Sequence, residues 1–156
     1  MSTGERPRGL ATTCLVETAE GPVAMVETPN KGFAVLTRLP SGELGFRQLI
    51  KVVTHDAAPL VRVVLDSGHA VVVASGHPFF RTGMAAVAAA DLAPGDHLET
   101  AFRYPDGYAP PDVGAAPHAW GISVRAVEPA GEGPVMTGMV RDTHALFLTA
   151  GVLCGE

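Results

Sequence analysis

The sequence predicts an all-β fold with at most one or two short helices. Turn formers are dense, with 18 glycines and 13 prolines in 156 residues. Short apolar runs rich in β-branched residues alternate with those turns, and only one stretch favours a helix. Residues 1–8 read as a flexible lead-in, and a single domain is expected over 9–156. Cys14 to Val16 and Val23 to Val26 flank the turn Ala19-Glu20-Gly21. Phe33 to Leu39 is a strand that stops at Pro40-Ser41-Gly42, and Glu43 to Val53 resumes after it as a hairpin partner. Leu60 to Leu65 and Ala70 to Ala74 enclose Asp66-Ser67-Gly68-His69, the clearest hairpin of the chain. Met84 to Ala90 is alanine-rich and predicts one or two helical turns, ended by Pro94-Gly95. Residues 104–119 read as a Pro/Gly/Ala loop. Ile122 to Val127 alternates as a half-buried strand, Gly131 to Pro134 reads as a turn, and Val135 to Val140 and Ala145 to Leu153 complete the set.

Composition excludes several classes. A formal charge of −5 with only 11 scattered Lys and Arg argues against nucleic acid as a partner. No apolar run approaches the roughly 20 residues that span a bilayer, so no membrane partner is expected. The opening MSTGERPRGLATT is too polar for a secretory signal, and a cytoplasmic protein is expected. The two cysteines, Cys14 and Cys154, make no disulfide framework. Each reads first as a small packed side chain, and a single bridge between them stays open. The histidines His55, His69, His77, His97, His118 and His144 show neither helical pairing nor cysteine company, so no metal is expected. No phosphate-binding loop and no nucleophile elbow is present, and no cofactor is expected.

Four blocks in order carry a resemblance. They are Thr18-Ala19-Glu20-Gly21 with Gly32 to Thr37, Val71 to Phe79 containing Gly76-His77-Pro78-Phe79, Val87 to Leu98 containing Asp91-Leu92-Ala93-Pro94-Gly95-Asp96, and Val135 to Gly155. In this order and at this spacing they resemble the Hint domains, the family of inteins and hedgehog processing domains. The resemblance implies a compact β fold with pseudo-two-fold subdomains, and chain ends that meet near His77. It also implies a mechanism. A cysteine or serine at the start of the domain attacks the preceding carbonyl in an N–S acyl shift. A second-block histidine protonates the scissile amide nitrogen, and in inteins a terminal asparagine cyclises.

Carried over position by position, His77 matches the second-block histidine. The threonine three residues earlier is replaced by Ala74. The nucleophile position, nine residues before Thr18, falls on Gly9, which has no side chain. Cys14 is the alternative nucleophile if the first strand is shorter. Thr137 stands at the family's aspartate, His144 at a loop histidine, Gly155 at the penultimate histidine and Glu156 at the asparagine. A carboxylate lacks the amide nitrogen needed to cyclise, and no peptide bond follows Glu156 here, so full splicing is not expected. The loop 104–119 stands where inteins carry an endonuclease and is too short to hold one.

Two readings follow from the resemblance. One is a degenerate Hint scaffold, natural or engineered, with splicing and self-cleavage lost or impaired, serving a structural or protein-binding role towards an unidentified protein. The other is a self-processing domain that acts on its own flanking polypeptide, through Cys14 and His77, at its N-terminal bond alone.

Overall fold

A computed structural model describes residues 6–101 and 122–156. Among these are twelve strands: β1 (Leu10–Ala11), β2 (Leu15–Thr18), β3 (Gly21–Ala24), β4 (Ala34–Arg38), β5 (Leu44–Leu65), β6 (Ala70–Ala74), β7 (Pro78–Phe80), β8 (Ala86–Ala88), β9 (His97–Leu98), β10 (Ile122–Val140), β11 (Ala145–Phe147) and β12 (Leu153–Gly155). Helical structure is confined, among the described residues, to two single 3-10 turns, Met25–Glu27 and Ala89–Asp91. The all-β expectation holds. The loop 104–119 and His118 lie outside the described residues.

The expected hairpins form. β4 pairs β5 from Ala34↔Gln48 to Arg38↔Leu44, and β5 pairs β6 from Leu60↔Ala74 to Val64↔Ala70. The motif residues around them cap turns. Thr18 Oγ1 donates to the Gly21 carbonyl at 2.7 Å and accepts the Glu20 N–H at 3.0 Å. Asp96 accepts the Ala93 N–H at 2.8 Å and an Arg81 N–H at 3.1 Å.

Four local expectations are corrected. Of the alanine-rich run, only Ala89 and Ala90 enter a helical turn, the 3-10 turn Ala89–Asp91. Ala86–Ala88 is a strand paired with Pro78–Phe80, and a 3-10 turn follows. Pairing with β7, and the Ala89 N–H donated to the His77 carbonyl, override alanine's helix preference. The turn expected at Gly131–Pro134 is instead part of one 19-residue strand, β10. Register shifts between Pro129 and Glu132, and between Gly133 and Val135, mark the glycines and prolines there as bulges in a ladder with β5. Likewise the two expected runs Glu43 to Val53 and Leu60 to Leu65 are one 22-residue strand, and Ala145 to Leu153 is a tight hairpin of β11 and β12.

The strands make an eight-stranded sheet, ordered β3-β2-β4-β5-β6-β1-β10-β9, and a four-stranded sheet, ordered β11-β12-β7-β8. β10 also pairs β5, so β5, β6, β1 and β10 close on one another. Leu49, Leu65, Val73, Phe79, Met136, Leu146 and Cys154 are buried in the main core between the sheets. Burial of such side chains contributes roughly 1.5–3 kcal/mol each before chain entropy is charged. Residues 6–9 continue β1 along the end of β6. The Ala74 N–H donates to the Gly9 carbonyl and the Gly76 N–H to the Pro7 carbonyl, both at 2.9 Å.

Candidate functional site

His77 lies between Ala74 and β7, fully buried, with its ring edge-on to Phe79 at 6.1 Å. Its Nδ1 accepts the Gly9 N–H at 3.0 Å. The contacted atom is the nitrogen of the Arg8–Gly9 peptide bond, which the motif alignment marks as the scissile amide. A ring accepting at Nδ1 carries its neutral-form proton at Nε2. That nitrogen is buried and reaches no hydrogen-bond partner of normal geometry among the described residues. Burial is the main cause that lowers the His77 pKa to about 3, with Arg8 pushing the same way and the Gly155 backbone opposing it. The ring is therefore neutral at physiological pH, with no proton on the nitrogen that faces Gly9.

The other expected positions surround this contact. Gly9 is buried with φ +134°, a backbone region that favours glycine. A Cβ there would stand 2.9 Å from Val135 Cβ and 3.1 Å from the Met136 carbonyl oxygen. Ala74, in the place of the threonine, is buried beside Ala58 and Val135. A Cβ on Gly155 would meet Pro78 Cγ at 2.6 Å and an Arg8 guanidinium nitrogen at 3.3 Å. Glu156 turns its carboxylate back into the fold, accepting the Val140 N–H and lying 2.9 Å from His144 Nδ1. His144 itself has a left-handed backbone, φ +54°. Thr137 is half-buried, with its hydroxyl 2.7 Å from His55 Nε2. Both line an open cavity of about 710 Å³ with Arg6, Pro7 and Arg8.

Cys14 is placed differently. It precedes β2, is 6% exposed, and shares the main core with Cys154. Its N–H donates to the Ala11 carbonyl and its own carbonyl accepts from Met25, so its backbone is fixed on both sides. Burial raises its thiol pKa to about 12, and burial first, then Cys14, raises that of Cys154 well above the ordinary value. Both thiols are free. The structure thus brings His77, Gly9 and Gly155 together, while Cys14 packs in the core.

Two residues here were named in the sequence blocks without a role. Gly76 is one: its missing Cβ would fall 2.5 Å from Arg6 Cβ and 2.6 Å from the Pro7 carbonyl oxygen. Its place beside His77 in the second block was the available signal. Asp91 is the other, joined to Arg6 at 2.6 Å. Among the described residues no three His, Cys, Asp or Glu side chains converge as a metal site would require, and no helix is long and apolar enough to cross a membrane.

No family model and no curated protein matches the sequence. Solved structures do match. The DnaB intein from Synechocystis sp. PCC 6803 superposes with a TM-score of 0.75 at 10% identity, over 96% of this chain and 98% of that one. An Ssp DnaB mini-intein variant, M86, gives 0.77 at 11% identity, over 97% and 94%. A bacterial intein-like domain from Clostridium thermocellum gives 0.76 at 18% identity, over 96% and 99%. With strand content and chain coverage in agreement, this chain has the Hint fold of inteins and intein-like domains.

Proposed function

We propose that this chain is a Hint scaffold that no longer cleaves or splices itself and serves as a structural or protein-binding module. The observation that carries the reading is Gly9. The residue whose nitrogen contacts His77 has no nucleophilic atom, and the space a side chain would enter is taken by Val135 and Met136. His77 supports the same reading. General acid catalysis needs a proton on the nitrogen facing the leaving amide, and at neutral pH that nitrogen accepts one instead. Cys14 is a poor substitute, because the thiolate is the attacking species and burial holds this thiol protonated. Glu156 supplies no amide nitrogen for cyclisation, and its carboxylate is engaged by Val140 and His144. The fold thus keeps its geometry where the chemistry that geometry once served has no reacting group.

The test is a fusion of a small reporter domain upstream of Met1, followed by intact mass over days with and without a strong thiol. The fusion is expected to stay whole, and to stay whole in Gly9→Cys, since the new side chain has no room to reach an attacking geometry. Thiol-accelerated release of the reporter from the unaltered chain, abolished by Cys14→Ala, would sink the proposal in favour of self-processing at Cys14.

A further inference from the structure

The lead-in beside His77 is seated like a ligand. Residues 6–9 lie antiparallel to the end of β6, in register with β1, through the Gly76 N–H to Pro7 and Ala74 N–H to Gly9 hydrogen bonds. The Gly9 N–H is received by His77 and the Arg6 guanidinium by Asp91 at 2.6 Å. Proline at position 7 needs no donor partner, which suits an added strand. The floor of the slot is Gly76, where any side chain would collide with Arg6 Cβ and both the Arg6 and Pro7 carbonyl oxygens. Arg6, Pro7 and Arg8 are exposed on the outer side. Burial of this strand begins at Gly9 and Leu10.

We infer that the Ala74–Gly76 edge, with Asp91 at its far end, is a receptor for an extended peptide of another protein carrying an arginine next to a proline, held closed in this chain by its own residues 6–8. The inference rests on the scaffold reading, because a bond cut at Arg8 would release this segment. Main-chain pairing gives such an added strand its affinity, and a side-chain contact at one end gives its selectivity. Here the selective contact is the Arg6–Asp91 pair. The tethered copy competes at an effective concentration of order millimolar, so an outside peptide meets an occupied slot until the tethered copy is weakened.

The experiment uses the full chain and a fluorescent peptide of residues 1–9, read by anisotropy. In Arg6→Glu the tethered segment is repelled by Asp91, and the peptide is expected to bind about threefold to tenfold more tightly than to the unaltered protein, the scale of one exposed ion pair changed in sign. In the double variant Arg6→Glu with Asp91→Arg, the tethered pair is restored with reversed charges and the peptide is disfavoured, so binding is expected to fall back. Equal peptide binding by all three proteins, or none at millimolar peptide, would overturn the inference and leave the scaffold reading standing. Cleavage of the reporter fusion is a separate readout, so loss of the scaffold reading is distinguishable from loss of the receptor.

Discussion

His77 converts a buried contact into a pH dependence. Its folded pKa of about 3 lies below the ordinary 6.5, so the unfolded chain binds the extra proton between those values. The stability its burial confers is fully present above about pH 6.5 and is lost as pH falls towards 3, at up to roughly 1.4 kcal/mol per unit. Denaturant midpoints measured from pH 7 to 4 are expected to fall, and His77→Ala to flatten that limb while costing about 2–4 kcal/mol at neutral pH through the cavity and the orphaned Gly9 N–H. The cysteines make a second residue-scale prediction. Native Cys14 and Cys154 are expected to react with a thiol reagent at pH 8 on the order of 100-fold more slowly than in denaturant, and rapid labelling of Cys14 would contradict its placement in the core. At this scale the sequence was partly legible. Counting from Thr18 located Gly9, and the second block located His77. The crowding at Gly9 and Gly155 was not legible, because it depends on Val135 and Pro78 arriving from distant strands.

At the scale of the element, the segment before β1 is the most informative. Arg8–Gly9 is a bond trypsin would ordinarily cut, and Arg8 is exposed. A protease needs the backbone extended into its own cleft, and here the flanking Pro7 and Gly9 carbonyls are already engaged by Gly76 and Ala74. Limited trypsin digestion is expected to leave this bond intact in the native protein and to cut it faster in Arg6→Glu. Rapid cutting of the unaltered chain would mean the segment is not docked. Hairpins with local turn signals were readable, as with Asp66-Ser67-Gly68-His69. Strand ends were not: the Gly131–Pro134 cluster has the composition of a turn, and only the β5 partner across from it makes it a bulge. The same holds for Ala86–Ala88, whose strand state is imposed by Phe79 and its neighbours.

For the whole molecule, β5 and β10 matter most. They pair from Val124↔Leu65 to Val140↔Leu49, between segments far apart in sequence. β10 runs along β5 from beside the β4 pairing, which ends at Gln48, to the β6 pairing at Leu60–Val64, and so ties the two hairpins together. Thermal unfolding is therefore expected as one transition, with calorimetric and van't Hoff enthalpies equal, and two resolved transitions would show the halves to be separable. Such non-local pairing also predicts slow folding, in the millisecond to second range. The closed circuit of β5, β6, β1 and β10 carries one more consequence. In an open sheet a strand can slip by one residue and turn its apolar side chains outward. Around a closed circuit, a slip at one seam must be cancelled at the other three, so misregistered states are excluded together. The liability to self-association then moves to the sheet margins, and at one of them, β3, Pro22 withholds the donor that a neighbouring chain would need.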